Sequence, residues 1–359
     1  MKQLLLLLFT ITVLVPITLK AGPDTQPHAE DRIIVRYRSS SQGAAASARQ
    51  RGRTIRHFRH TGITVQSLKS GESVRSAIAR VRRDPGVLFA EPDYVIETTQ
   101  IPNDPAFNSL WGISRIHCPE AWDYTSGSRD IIVAVIDTGV DYTHPDLVGN
   151  IWTNTGEIPG NGIDDDGNGY VDDIHGYDFC SHDSNPIDDH GHGTHCAGII
   201  GAAGNNGTGV IGVSPSVSIM ALKFLGAGGS GYVSDGIQCI EYAVANGAQI
   251  LSCSWGSKYY IEALFYAIET ARSLGVTVVT AAGNNGTSND SFPFYPASYS
   301  CENIISVGAS TPGDTGAYFS NYGEASVDIF APGTGILSTV PGGYRYYDGT
   351  SMAAPHVSG

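Results

Sequence analysis

Beyond its first nineteen residues the chain has no apolar run long enough to span a membrane. Basic side chains are scarce: 21 Lys and Arg stand against 35 Asp and Glu, for a net charge of −14. The deficit is uneven, since residues 23–100 carry 13 basic and 8 acidic side chains whereas residues 101–359 carry 6 and 27. So acidic a body excludes nucleic acid as a partner. It also invites the basic segment to dock onto it. Although there are six cysteines, Cys118, Cys180, Cys196, Cys239, Cys253 and Cys301, they form no CxxC pair, which argues against a zinc cluster. Six thiols allow 15 full pairings, so the spacing fixes no disulfide connectivity.

What is present begins with Lys2, an apolar run from Leu4 to Leu19 and a small-residue exit at Ala21, the layout of a secretory signal peptide over residues 1–21. A membrane anchor fits less well, because the run is short and lacks a flanking stop signal. The expected product is secreted, extracellular and monomeric. Residues 22–31 are polar and read as disordered. Arg32 to Arg38 alternates as a strand, Ser73 to Arg83 has helical spacing, and Val87 to Glu97 reads as a second strand. Residues 32–98 thus form a small α/β unit, followed by an exposed, cleavable joint with the text ETTQIPND.

After the joint, short apolar runs at 131–136, 218–224, 249–254, 276–281 and 303–307 alternate with helical patterns over 233–244 and 261–274. Strand alternating with helix predicts an α/β fold, a three-layer doubly wound and mostly parallel sheet. Ligands of such sheets sit at the carboxyl ends of the strands. Asp137 follows one run there and Asn284 another. Asp189 to His195 (DHGHGTH) opens a helical stretch, and Ser351 starts a further helix, beside free backbone N–H groups. Singly, such an Asp or Ser is most often a helix cap. Together they supply a nucleophile, a base, a carboxylate to orient the base and donors for an oxyanion.

The segments IIVAVIDTGV, DDHGHGTHCAGIIGA and DGTSMAAPHVSG, with TAAGN as a fourth block, resemble the signature blocks of the subtilisin-like (subtilase) serine proteases across residues 101–359. The resemblance implies that Asp137 orients His192, that His192 is general base and then general acid, and that Ser351 is the nucleophile. It also implies an oxyanion hole of Asn284 with the Ser351 N–H. Gly229, Ser230 and Gly231, and Ser254, Trp255 and Gly256, resemble the two edges between which a protein or peptide substrate adds as a strand. Phe294 stands at the primary pocket where many relatives carry a small residue, which implies a shallower pocket. Residues 32–98 resemble the family's inhibitory propeptide, a ferredoxin-like α+β domain acting as chaperone and inhibitor of its own enzyme, with the cut expected between Glu97 and Pro102. Cys196, four residues after His192, resembles the buried thiol of the proteinase K-like branch and implies inhibition by mercurials.

Structural calcium is expected twice. Asp164, Asp166, Asn168, Tyr170 and Asp173 alternate oxygen donors along a glycine-containing loop, as EF-hands do. Asp104, Asp146 and the loop Gly204, Asn206, Thr208 and Val210 match the family's high-affinity calcium site. Asn206, Asn285 and Asn289 also begin glycosylation sequons, and a glycan on Asn206 would conflict with metal binding. A rival reading takes His190, His192 and His195 with Asp188 and Asp189 as a catalytic metal cluster, but leaves Ser351, Asn284 and Asp137 without a role. The chain ends eight residues after Ser351, where the family continues with more helices, so residues 101–359 are expected to be a C-terminally incomplete catalytic domain. The alternative function is accordingly a catalytically inactive or truncated relative acting as a binding protein.

Overall fold

The computed structural model describes residues 27–38, 53–95 and 101–359. The signal peptide and residues 97–100 of the cleavable joint lie outside them. The chain divides into two compact units, Met1–Thr98 and Thr99–Gly359.

In the first unit, strands β1 (His28–Tyr37), β2 (Thr54–His57), β3 (Ile63–Ser67) and β4 (Val87–Tyr94) form one antiparallel sheet in the order β2-β3-β1-β4. Helix α1 (Val74–Val81) is capped by Ser73, whose hydroxyl accepts from Ser76 N at 3.3 Å. Its buried face, Val74, Ala77, Ile78 and Val81, repeats at helical spacing and packs on Ile33, Val35 and Ala90 of the sheet. The strand begins earlier than the sequence predicts: β1 starts at His28, inside the stretch read as disordered. Polar composition is overridden there by pairing, because His28 lies opposite Tyr94 and Val95 N donates to Pro27 O at 3.0 Å.

The second unit is built on seven parallel strands: β5 (Ile132–Asp137), β6 (Gly176–Asp178), β7 (Ser218–Lys223), β8 (Ile250–Cys253), β9 (Thr277–Ala281), β10 (Ile304–Ser310) and β11 (Ile329–Pro332). Their order is β11-β10-β9-β8-β5-β7-β6, and every pairing is parallel. The central strands β5, β7, β8 and β9 are mainly apolar because both of their faces are covered. Ala134 and Ile136 of β5 enter one core with Met220, Leu222, Leu251, Ile240 and Ile268, whereas Val133 and Val135 enter the other with Ile219, Ala197, Ile200 and Met352. Helices α5 (Val233–Ala245) and α6 (Glu262–Ser273) cover the first face, and α4 (His192–Gly201) and α7 (Thr350–Ser358) the second. Short helices α2 (Trp111–Arg115) and α3 (Cys118–Trp122) precede the sheet, and a hairpin of β12 (Ile336–Val340) and β13 (Gly343–Tyr347) leads into α7. All six cysteines are free thiols.

The chain leaves β5 for β6 and β7 on one side and for β8 to β11 on the other. This reversal of strand order opens a crevice at the carboxyl end of β5, where Asp137 stands.

Candidate active site

Asp137 is the last residue of β5 and fully buried. Its Oδ1 accepts from its neighbour's backbone, Thr138 N, at 2.7 Å and lies 2.7 Å from His192 Nδ1. His192 is the first residue of α4, so one strand end and one helix start set the pair. The approach of helix to strand is close: a Cβ on Gly193 would lie 2.1 Å from Gly139 O and 3.0 Å from Asp137 Cβ. Only glycine fits there.

Asp188 secures the helix start. Its Oδ1 accepts from His190 N at 2.9 Å, Gly191 N at 2.8 Å and Thr138 Oγ1 at 2.9 Å, and its Oδ2 accepts from Thr194 N at 2.9 Å and Thr194 Oγ1 at 2.6 Å. Those bonds tie the turn after β5 to the first turn of α4. The sequence shows Asp188 only as one of several neighbouring acids, with nothing to mark this capping task. Burial opposes protonation of His192, but the adjacent Asp137 carboxylate outweighs it through charge and hydrogen bonding, and the imidazole pKa is raised above its ordinary value.

Ser351 occupies the second position of α7. A first-turn residue has no intrahelical acceptor for its N–H. Its hydroxyl donates to Ser254 O at 3.0 Å. Asn284 follows β9, and its Oδ1 accepts from Thr350 N at 2.8 Å and from Thr350 Oγ1 at 3.0 Å. With the oxygen so engaged, the amide nitrogen is left to point elsewhere. A Cβ on Gly349 would be 3.5 Å from Ser351 N and 3.6 Å from Asn284 Nδ2, so both donors border one small gap that a side chain would fill.

His192, Ser351, Asn284, Gly229, Ser254, Trp255, Gly256 and Phe294 line a single open cleft. Of the predicted rim, Gly229 lines the cleft, whereas Ser230 and Gly231 are exposed beside it, Gly231 packed so closely on Phe224 that a Cβ would meet its carbonyl at 1.9 Å. The opposite rim is pinned by Trp255, whose Nε1 donates to Ile136 O at 2.8 Å, and by Ser254, whose Oγ donates to Ser351 O at 2.9 Å.

The histidine cluster of the rival reading does not assemble. His195 turns to the far side of α4, where it stacks on Tyr347 at 4.4 Å, and burial pushes its pKa down to about 4. His190 and His192 remain 6.4 Å apart between ring centroids. Of the sequons, Asn289 is buried and donates to Ala282 O at 2.9 Å, whereas Asn206 and Asn285 are exposed, Asn206 donating to Asp146 Oδ1 at 2.9 Å.

The two loops read as calcium sites differ in the donors they present. Asp104 and Asp146 are buried, and among the described residues neither has a Lys or Arg partner. Buried carboxylates need compensating positive charge. Beside them the carbonyls of Gly204, Thr208 and Val210 accept no hydrogen bond from the described residues, as metal-ligating carbonyls would not. Asn206 differs from expectation: its amide nitrogen donates to Asp146 Oδ1 at 2.9 Å, and its oxygen accepts from Thr208 N at 2.8 Å. In the acidic loop, carboxylate oxygens of Glu157, Asp164 and Asp166 lie within 4.8 Å of one another. Glu157 was not predicted, because it lies seven residues before the repeating pattern. Asn168 stays beside the cluster, its N–H bonded to Asp164 Oδ1 at 3.1 Å. Asp173 instead turns inward to Tyr242 OH and to Asn154 Nδ2, and the Tyr170 ring packs against Tyr177 and Tyr242. Both donor sets fit a hard divalent cation.

Comparison with known proteins agrees with this geometry. Residues 128–359 match the Subtilase family, and residues 16–93 match the Fervidolysin N-terminal prodomain. A thermophilic serine proteinase of Bacillus sp. (strain AK1) is 42% identical over 81% of this chain and 66% of its own length. Thermitase of Thermoactinomyces vulgaris is 41% identical over 72% of this chain and 83% of its own. Subtilisin amylosacchariticus of Bacillus subtilis is 33% identical over 98% and 86%. The chain belongs to the subtilase family and carries an N-terminal prodomain.

Proposed function

We propose that this chain is a secreted serine endopeptidase, made as a zymogen, that cleaves protein and peptide substrates through an acyl-enzyme. The observation that carries the reading is the 2.7 Å contact of Asp137 with His192 in the cleft that also holds Ser351 and Asn284. A serine hydroxyl is a weak nucleophile until a base takes its proton. In the free protein that proton points to Ser254 O, so acylation requires the hydroxyl to turn and give it to His192 Nε2. As the Ser351 Oγ to carbonyl-carbon bond forms, the carbonyl oxygen gains negative charge in the gap between Ser351 N and Asn284 Nδ2. The imidazolium, stabilised by Asp137, passes its proton to the leaving amine, which departs with the electron pair of the broken C–N bond. Water then repeats the sequence and frees Ser351.

The substrate strand lies between the rims at Gly229 to Gly231 and Ser254 to Gly256. The basic first unit, followed by the acidic second, supports a propeptide that binds its own enzyme before release. Calcium, when bound, supplies positive charge to the buried acids; Asp104, Asp146, Gly204, Thr208 and Val210 would hold one ion, and Glu157, Asp164 and Asp166 another.

The test is the pH dependence of kcat/KM. Activity requires neutral His192, so the acid limb is expected above the ordinary imidazole value of about 6.5. In Asp137→Asn the limb should move to lower pH and the rate should fall by orders of magnitude. A limb that ignores this substitution would contradict His192 as the base.

A further inference from the structure

One part of the cleft lies beside Ser351. Its walls are Ser254 to Gly256 on one side and Ala281 to Gly283 on the other, and Phe294 lies between them. A Cβ on Gly256 would sit 2.4 Å from Phe294 Cε1 and 2.8 Å from Cζ, and one on Gly283 would sit 3.1 Å from Cδ1. One phenyl ring therefore lies against both glycines and occupies the space that they leave open. It is not free to withdraw with its backbone. Phe294 N donates to Ser298 Oγ at 3.1 Å, Ser298 N donates to Phe294 O at 2.9 Å, and the next residue pairs with Ser257 through two bonds of 2.7 Å.

The position of the recess relative to the chemistry gives the ring its meaning. With the scissile carbon at Ser351 and its oxygen between Ser351 N and Asn284 Nδ2, the residue contributing that carbonyl lies along Ser254 to Gly256. Its side chain is directed into this recess. We propose that Phe294 fills the recess, so that the enzyme cleaves after small side chains such as Ala, Ser or Gly and disfavours Leu, Phe and Tyr at that position. The inference rests on the endopeptidase reading above and narrows it to a substrate class. An overfilled apolar site must displace well-packed atoms to admit a large group, and this packing opposes such movement.

The experiment compares kcat/KM for tetrapeptide p-nitroanilides that differ only at the residue before the scissile bond, Ala, Leu or Phe. Labelling of Ser351 by a small fluorophosphonate, which needs no occupied recess, is measured in parallel. The wild type should favour Ala over Phe by at least about tenfold, the discrimination ordinary for size differences in apolar pockets. Phe294→Gly and the milder Phe294→Ala should each reverse that order. A labelled wild type that cleaves the Phe substrate as fast as the Ala substrate overturns the inference and leaves the endopeptidase reading intact. If Ser351 takes no label and no substrate is cleaved, the endopeptidase reading fails and this inference with it.

Discussion

Three side chains from distant parts of the sequence meet in one cleft, and each is held by a different local device. Asp137 is fixed by a buried strand end, His192 by a helix start clamped through Asp188, and Ser351 by the first turn of α7. Asn284 is the fourth. Its oxygen is bonded twice to Thr350, which aims the amide nitrogen at the gap beside Gly349 without cost at the moment of reaction. Asn284→Ala is accordingly expected to lower kcat about 10²–10³-fold with little change in KM, the magnitude known for the equivalent amide of subtilisin. Steady-state kinetics on a peptide substrate checks this, and an equal loss through KM alone would mean that Asn284 binds the ground state instead. Asp137 and Asn284 were legible in the sequence because each follows an apolar run, where a parallel sheet exposes its site, and His192 and Ser351 because each opens a helical stretch. Asp188 was not legible as a clamp, since capping depends on the fold of the turn between Pro186 and Gly191.

At the scale of elements, legibility followed burial. The strands β5, β7, β8 and β9 are covered on both faces and appear in the sequence as short apolar runs within a residue or two of their observed bounds. The hairpin of β2 and β3 went unseen because all four residues of β2 are exposed and leave no alternation to read. Its order comes from backbone pairing with β3 alone. Helix α4 lacks a polar face for a related reason: nearly every residue is buried, so composition rather than periodicity marks it. That burial makes its glycines structural. Gly198 packs where a Cβ would meet Thr339 Oγ1 at 2.2 Å, and Gly193 where it would meet Gly139 O at 2.1 Å. Gly193→Ala should push α4 away from β5, lengthen the contact between His192 and Asp137 and lower kcat/KM at least about a hundredfold. The His192 ring proton signal in NMR reports the same contact. An unchanged signal with full activity would show that the helix tolerates the methyl group.

At the scale of the molecule, the second unit combines a tightly packed interior with a strongly acidic composition. Part of that acid is buried, at Asp104 and Asp146, and part is gathered at Glu157, Asp164 and Asp166. Without cations these groups would oppose folding. Chelation should therefore lower the thermal midpoint by several degrees while leaving peptide hydrolysis at 25 °C initially intact. Differential scanning calorimetry with and without EDTA, beside an assay in the same buffers, separates this from a catalytic metal. Immediate loss of activity at an unchanged midpoint would reverse the assignment. The charge contrast between the units belongs to the same scale, and was readable from composition alone. What composition could not give was which carboxylates meet, since Glu157 joins its cluster only through the folding of the loop.

The claim that Ser351 is the nucleophile of a self-processing protease is tested most directly by mass spectrometry of the full-length chain and its Ser351→Ala variant after exposure to a fluorophosphonate. The account predicts a phosphonylated Ser351 and release of the basic N-terminal unit in the wild type, with both absent from the variant. An unlabelled wild type that keeps residues 23–100, or a variant that still sheds them by itself, would contradict it.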